Sequence, residues 1–378
     1  MRSILMILVA LVLAAPALAK EPKAGIGLHD EPEMTPLGGT LLRIDPASGD
    51  AKELFRVAHE NLASPAVLGD TIFVGGSDHM LHALSAADGA ERWKVDAGHR
   101  IFTVCAGDKA VLVGAGADLL ALDPATGKQL WKYEGDIAVD AVLAVDTVAL
   151  LNSFDGPVAL DLASGKPRWR LDVQWGYFVF SKMAPGRVCI WKPDEIFVVE
   201  TERGKTLWQS TADITMTAPG AVPSPAVCDV QDVICQLRGD RKDSRQWSLH
   251  SLEGASGNEI WRADIGQGAG GAARTAVVGL AAYCTLDDIL RKFDLTTGKA
   301  LWAHPVKAAN QTPAPVCAFG LVIVSDAGGD VTALDPSDGK SKWAAAAPKP
   351  AAGAKVQVSG IAVTEDAIFV CRNQAALR

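Results

Sequence analysis

The sequence has no pair of cysteines at the spacing that zinc sites or haem attachment require. Its seven cysteines are scattered, without a C-x-x-C or an adjacent pair. Beyond residue 15 no apolar run approaches the length of a membrane-spanning helix, about 20 residues. Basic residues do not outnumber acidic ones, and the formal net charge is −8 at pH 7. These absences argue against a zinc finger, a haem protein and a transmembrane span after residue 15, and they leave no electrostatic reason to bind nucleic acid.

Motifs that carry chemistry are also missing. There is no G-x-S-x-G elbow for a serine nucleophile, and no residue can be assigned to catalysis, to a cofactor or to a metal ion. His79 and His82 could form a metal pair, but no cysteine or carboxylate cluster completes the set. We therefore expect a solvated turn at these two histidines, and we predict that the protein uses no cofactor.

The first 19 residues have the composition of an export signal. Arg2 precedes an apolar run, residues 4–15, and Ala17-Leu18-Ala19 supplies the small-x-small pattern that signal peptidases recognise. A retained N-terminal anchor is the alternative. Lys20 stands where a bacterial lipoprotein has its cysteine, so no lipid anchor is expected. The sequence thus predicts a periplasmic or secreted protein whose residues 20–39 form a flexible segment.

A short unit recurs along the rest of the chain. Its clearest copies, residues 121–131 and 159–169, contain an apolar strand end, Asp, a turn with Gly, and Trp four residues after that Gly. Counting a degenerate copy at Gly49, successive turn glycines lie 40, 38, 38, 39, 53, 41 and 41 residues apart. This period predicts four-stranded propeller blades, which have about 40–50 residues each. Seven of the ten tryptophans occupy the same position of the unit: Trp93, Trp131, Trp169, Trp208, Trp261, Trp302 and Trp343.

Each position of the unit has a physical role. The acidic side chain can accept hydrogen bonds from backbone amides two residues on, and Gly tolerates the positive φ of the turn. The Trp supplies a large apolar area for packing against a neighbouring blade. In the degenerate copy, residues 43–53, Glu53 stands where Trp is expected. The blade that contains Glu53 is therefore predicted to be the weakest.

The two chain ends predict how the ring closes. Residues 361–370 show two strands of a blade without the turn and Trp, and residues 40–57 show the later strands without the earlier ones. Together they complete one blade and remove an exposed sheet edge. Residues 375–377 could add a third strand, which leaves open which end supplies it. The predicted fold class is all-β, an eight-bladed propeller over residues 40–378.

Two other repeat architectures fit the sequence less well. A linear β-solenoid usually has much shorter repeats, and it would not explain matching half-blades at the ends. WD-type repeats share the period, but the chain has no Trp-Asp dipeptide.

The repeated frame resembles the tryptophan-docking repeat of the pyrroloquinoline quinone (PQQ) dehydrogenases and their non-enzymatic relatives, over residues 40–378. In size and plan the chain is most similar to the BamB branch, periplasmic eight-bladed propellers of the outer-membrane β-barrel assembly machinery. That resemblance implies docking to a protein partner by surface loops, without catalysis. The lipid-attachment cysteine of that branch is missing here. The adjacent cysteines, calcium site and catalytic Asp of the dehydrogenases cannot be carried over to any residue of this chain.

The sequence therefore favours a non-enzymatic scaffold that binds a protein partner in the cell envelope, in outer-membrane protein assembly if the resemblance holds. A monomer is expected. A PQQ- or metal-dependent periplasmic oxidoreductase is the first alternative, and a module that binds a small ligand or glycan is the second.

Two segments are candidates for the contact with a partner. Trp175 and Tyr177 belong to an aromatic run that breaks the repeat, and such residues are enriched at interface hot spots. The core of the next blade is the alternative for this run. The interval of 53 residues indicates an insertion, best placed at residues 238–245, where a solvated loop is the alternative. Its candidate contact residues are Arg238, Arg241, Lys242 and Arg245.

The sequence leaves undecided whether one disulfide forms. Cys228 and Cys235 could face each other across a short hairpin, and export permits such a bond. Most of the others lie in apolar runs, as buried unpaired thiols do.

Overall fold

Each copy of the repeated unit lies in one four-stranded antiparallel sheet. The computed structural model describes residues 34–173, 178–192, 195–211, 226–228, 232–239, 246–268, 273–307, 312–346, 349–350 and 352–377, and none of these is helical. Eight sheets form an eight-bladed β-propeller, which confirms the predicted fold class. In the described ranges no helix could cross a membrane.

The first two described strands belong to the last blade, β1 (Met34–Ile44) and β2 (Ala51–Ala58). Blade 1 consists of β3 (Ala66–Leu68), β4 (Thr71–Gly75), β5 (Met80–Ser85) and β6 (Glu91–Asp96). Blade 2 consists of β7 (Ile101–Gly107), β8 (Ala110–Ala115), β9 (Asp118–Leu122) and β10 (Gln129–Glu134). Blade 3 consists of β11 (Val142–Val145), β12 (Val148–Leu151), β13 (Val158–Asp161) and β14 (Pro167–Arg170). Blade 4 consists of β15 (Val179–Lys182), β16 (Arg187–Lys192), β17 (Glu195–Glu200) and β18 (Thr206–Thr211).

The second half of the chain repeats this plan. Blade 5 consists of β19 (Ala226–Cys228), β20 (Val233–Gly239), β21 (Gln246–Glu253) and β22 (Glu259–Gln267). Blade 6 consists of β23 (Arg274–Val278), β24 (Ala281–Leu286), β25 (Ile289–Asp294) and β26 (Ala300–Pro305). Blade 7 consists of β27 (Val316–Ala318), β28 (Leu321–Ser325), β29 (Val331–Leu334) and β30 (Ser341–Ala345). Blade 8 combines β31 (Ala354–Val363) and β32 (Ile368–Leu377) with β1 and β2, in the order β31-β32-β1-β2.

The four strands of a blade differ in burial because of their place in the ring. The first strands of neighbouring blades contact each other and are innermost. Second strands such as β4, β8 and β12 are apolar and buried along their whole length, since neighbouring blades cover both faces. The outermost strand is more exposed: β6 alternates exposed and half-buried residues towards its end.

Antiparallel order assigns the connections to two faces of the ring. The hairpins between first and second strands and those between third and fourth strands lie on one face, called here the turn face. The hairpins between second and third strands lie on the other, together with the connections between blades. We call this second side the connection face.

The repeated tryptophans join each blade to the next. In seven seams the indole Nε1–H donates to the backbone carbonyl that directly follows the acidic turn residue of the next blade, at 2.6–3.1 Å. The same indole lies against the turn glycine: a Cβ on Gly165 would stand 2.7 Å from Trp131 Cδ2, and the φ of Gly165 is +70°. This position therefore requires Gly for two reasons, the backbone conformation and the space.

The chain ends complete one blade, as predicted. β1 pairs with β32 from Met34 opposite Leu377 to Ile44 opposite Ile368. Residues 34–39, expected in a flexible segment, therefore belong to β1 and to the propeller. Residues 375–377 continue β32 and form no separate strand. The repeated unit marks only the turn end of these strands. The strands predicted from the sequence were therefore too short.

The seam between blade 8 and blade 1 has no docked tryptophan. Leu54 lies against the turn glycine Gly89, whose added Cβ would stand 3.2 Å from Leu54 Cβ. Phe55 contacts the ring of His82 at a centroid distance of 4.7 Å. The side chain of Asn373 accepts from Leu62 N and donates to Leu62 O, both at 2.8 Å. Several smaller contacts therefore take the place of the indole.

The position of a β-bulge also distinguishes blade 8 from the seven blades with a docked tryptophan. In the seven docked blades the bulged residue directly precedes the Trp, as Leu130 precedes Trp131. In blade 8 Glu53 pairs with Leu42 and the bulge falls at Leu54 instead. Glu53 thus holds the Trp place by count along the chain, but not by its pairing in the sheet.

The long interval between the glycines of blades 4 and 5 has two origins. β20 and β21 are longer than the corresponding strands of blades 1 to 4, and they flank residues 240–245. The connection from Thr211 to Ala226 is also long. The prediction that residues 238–245 contain the insertion was therefore incomplete, because a glycine-to-glycine count cannot separate a long hairpin from a long connection between blades.

Candidate functional site

Most of the predicted contact residues belong to two connections between strands of blades 3, 4 and 5. Trp175 and Tyr177 lie outside the described residues, between β14 and β15, and so do Arg241, Lys242 and Arg245, between β20 and β21. The described ends of these connections, Val173 with Phe178 and Gly239 with Gln246, belong to blades 3, 4 and 5. Strand order puts the described ends of both connections on the connection face.

Arg238 is the one predicted contact residue that the structure describes. Its Nε donates to Gln236 Oε1 at 3.1 Å. In the ladder between β20 and β21, Arg238 pairs with Ser248 and Gln236 pairs with His250. Residues at intervals of two share a sheet face, so these four side chains lie on the same side of the sheet as Ile234, which packs towards blade 4.

Two members of this polar group, Ser248 and His250, form a continuous relay with Glu259. Ser248 Oγ lies 2.7 Å from His250 Nε2, and His250 Nδ1 lies 2.6 Å from Glu259 Oε2. Ser248 and His250 are each 6% exposed, whereas Glu259 lies on the outermost strand and remains partly exposed. A carboxylate only accepts hydrogen bonds, so Nδ1 carries the proton and Nε2 accepts from the serine hydroxyl.

The environment of His250 favours its neutral form. Burial lowers the pKa of the imidazole below its ordinary value, and Arg238 and Arg262 act in the same direction, while the hydrogen bond with Glu259 opposes them. A neutral imidazole retains the lone pair on Nε2 that the hydroxyl of Ser248 requires.

Blade 1 contains a related arrangement without the serine. His82 Nδ1 lies 2.8 Å from Glu91 Oε2, at the same places in the repeat as His250 and Glu259. Met80 occupies the place of Ser248. The solvated turn expected at His82 is wrong, because this side chain is buried in the seam with blade 8.

The sequence contains a signal for both pairs that single motifs do not reveal. In each pair Glu follows His by nine residues, and a docking Trp stands two residues after the Glu. Aligning the copies of the repeat column by column would have shown that blades 1 and 5 share this combination. The serine is harder to recognise, because its role depends on which face of β21 it occupies.

Exposed apolar side chains lie on both faces of the ring. Phe154 is 58% exposed in the connection-face hairpin of blade 3. On the turn face Leu280 is 62% exposed, and with Leu301 it takes the places that Asp70 and Arg92 fill with an ion pair in blade 1.

The cysteines behave largely as buried thiols. Burial raises the pKa of Cys189 and of Cys284 to about 12. In the hairpin of blade 5 Cys228 pairs with Val233, and Cys235 pairs with Ala226. The register therefore does not put Cys228 and Cys235, the two cysteines that could form a disulfide, directly opposite each other. Over the described ranges, no group of three or more His, Cys, Asp or Glu could hold a metal ion.

Comparison with known families decides the relationship that the repeat suggested. A family model described as outer membrane protein assembly factor BamB matches residues 38–176 and 192–377. The chain belongs to the BamB family. The predicted resemblance is therefore confirmed, over almost the whole propeller. A search of curated protein sequences finds no match.

Solved structures share the fold with this BamB family member at low sequence identity. BamB from Moraxella catarrhalis is 18% identical, with a TM-score of 0.63, and the match covers 84% of this chain and 94% of that one. A europium-containing methanol dehydrogenase is 15% identical, with a TM-score of 0.57 and coverage of 79% and 80%. Sqt1 from Saccharomyces cerevisiae is 9% identical, with a TM-score of 0.63 and coverage of 90% and 98%. At these identities the structures show the fold alone.

Proposed function

We propose that this BamB family member is an exported scaffold that binds a protein partner in outer-membrane protein assembly, and that it performs no catalysis in this role. The match to the BamB family model, which spans both halves of the ring, is the observation that supports it most. The export signal at residues 1–19 supports a periplasmic location, where such a partner would be met.

The connection face of blades 3 to 5 is the proposed contact surface. Both candidate segments belong to connections on this face, and Phe154 adds an exposed aromatic ring from blade 3. The segment of residues 238–245 has four basic and two acidic residues in a chain whose net charge is −8. A partner with an acidic, partly apolar surface would fit, and the basic residues would accelerate its association at low salt.

Site-specific photocrosslinking in living cells tests this surface. A photoreactive amino acid replaces Tyr177 or Arg241 on the proposed surface, and Lys128 or Lys299 on the turn face as matched controls. We expect the first two variants, and not the controls, to crosslink one outer-membrane assembly protein. Deletion of the gene should lower the amount of folded outer-membrane proteins. Equal crosslinking from both faces would contradict the surface, and unchanged outer-membrane proteins would contradict the assembly role.

A cofactor assay separates the scaffold from the quinone oxidoreductase alternative. The purified protein is mixed with PQQ and calcium, passed through gel filtration, and tested for dye-linked alcohol or sugar oxidation. A scaffold should retain no quinone and reduce no dye. Stoichiometric quinone that survives gel filtration would overturn the proposal.

A further inference from the structure

We propose that Ser248 is an activated nucleophile that takes an acyl group from small carboxylic esters, with His250 as its base and Glu259 as the residue that positions the base. This activity would be additional to the scaffold role and does not depend on it. The three residues are linked by two short hydrogen bonds, one within β21 and one from β21 to β22.

The order of contacts is the one that nucleophilic serine catalysis needs. The serine hydroxyl must donate to an imidazole nitrogen, and the opposite nitrogen must donate to a carboxylate that holds the ring. Ser248 Oγ, His250 and Glu259 meet this requirement at 2.7 and 2.6 Å. Since burial and the two nearby arginines keep the imidazole neutral, the base is ready to accept a proton at pH 7.

A donor for the developing negative charge lies on the same sheet face. Gln236 is fully buried, and its amide Nε2 has no hydrogen-bond partner among the described residues. Gln236 pairs with His250, two pairs along the ladder from Arg238 and Ser248 and therefore on the same face. An unpaired buried amide is costly, so a ligand oxygen that accepts from Nε2 would be favoured. A side-chain amide can serve as the oxyanion donor in acyl transfer.

The position of Ser248 limits the substrate to small molecules. Ser248 is 6% exposed, and it lies one residue pair from the last described pair of its hairpin, Gly239 with Trp247. It is therefore close to the connection-face end of the blade, and a side chain with so little exposed surface favours a small ester over a bulky polymer.

The reaction balances without a cofactor. Ser248 Oγ bonds to the ester carbonyl carbon as its proton moves to His250 Nε2. The carbon–oxygen bond to the alcohol then breaks, and the leaving alkoxide takes this proton. Water attacks the acyl-serine in the same way, which releases the carboxylic acid and restores the hydroxyl of Ser248. The net change is ester plus water to acid plus alcohol.

Labelling with a fluorophosphonate probe tests the nucleophile. Its phosphorus bonds to an activated serine oxygen, and fluoride leaves. We expect one label per chain, on the peptide that contains Ser248, as read by tandem mass spectrometry. The rate should fall by roughly 100-fold or more in His250→Gln. It should fall by a smaller factor in Glu259→Gln, and hydrolysis of p-nitrophenyl acetate should follow the same order.

Blade 1 supplies the matched control. His82→Gln removes the equivalent imidazole beside Met80, which has no hydroxyl, so labelling should stay at the wild-type rate. In the wild type, the rate should rise with pH as His250 loses its proton and level off once the imidazole is neutral. Circular dichroism checks that each variant folds. A folded wild-type protein that takes no label, or a label that maps to a residue other than Ser248, would overturn the proposal.

Discussion

Seven seams of the propeller are held by a docked tryptophan, and the seam between blades 8 and 1 is not. In the docked seams one indole covers a turn glycine and donates to the carbonyl beside it, as Trp131 does with Gly165 and Leu162. In the eighth seam Leu54, Phe55 and Asn373 share this task. In a docked seam one large side chain makes the main stabilising contact, whereas in the eighth seam several smaller contacts share this role. The ring should therefore open first where the indole is missing.

Removing a docked indole should have the largest effect. Trp131 is 8% exposed and donates to Leu162 O at 2.9 Å, so Trp131→Ala should lower the free energy of unfolding by about 3–5 kcal/mol. Leu130→Ala is the control: this neighbour is 49% exposed and should cost less than about 1 kcal/mol. Urea unfolding measures both variants. Equal losses would show that the indole does not hold the seam.

Removing the side-chain amide of Asn373 at the seam between blades 8 and 1 should have the second-largest effect. Asn373→Ala leaves the amide and the carbonyl of Leu62 without their partner, which should cost about 2–3 kcal/mol in unfolding free energy. The exposed Asn258 is a suitable control, and Asn258→Ala should stay within about 0.5 kcal/mol of the wild type. If Asn373→Ala unfolds at the wild-type urea midpoint, the seam has another anchor.

The carboxylate of Asp140 should make the folded protein less stable as the pH rises. Asp140, in the connection between blades 2 and 3, has its pKa raised to about 6 by burial. The folded protein then binds more protons than the unfolded chain between about pH 4 and pH 6, so stability falls as the pH rises through this window. Asp140→Asn should remove that fall and add about 1–2 kcal/mol at pH 7. Urea midpoints from pH 4 to pH 7 measure this effect, and parallel profiles for the two proteins would contradict it.

Placing a tryptophan at residue 53, the docking position by count along the chain, should have the smallest effect. Glu53 pairs with Leu42, and the bulge that precedes each docked Trp is displaced to Leu54. An indole at residue 53 would therefore not occupy the docking place, and Glu53→Trp should change the unfolding free energy by no more than about 0.5 kcal/mol. A clear gain in thermal stability would mean that the register of β2 can shift.

The repeated unit predicted the blades, the docking tryptophans and the composite blade, because it combines a turn with a large side chain at one fixed distance. It could not predict that β1 reaches back to Met34, since no turn or Trp marks that end of the strand. Nor could it show that the bulge moves in blade 8, because register depends on pairing partners far along the chain.

The candidate site was less predictable, for a similar physical reason. Arg238 was recognised as a charged residue of an insertion, but two of its neighbours on the sheet face, Ser248 and His250, come from another strand. Ser248 and His250 are ordinary strand residues in the sequence. They become a relay because alternation puts both on one face and the ladder brings Glu259 to the imidazole.

Hydrogen exchange followed by mass spectrometry tests the central claim, that the ring is weakest where no indole is docked. The comparison is between two outermost strands, β2 (Ala51–Ala58) in blade 8 and β10 (Gln129–Glu134) in blade 2. If the undocked seam opens first, the hydrogen-bonded amides of β2 should exchange at least about tenfold faster than those of β10 under native conditions. Equal or slower exchange in β2 would contradict the claim.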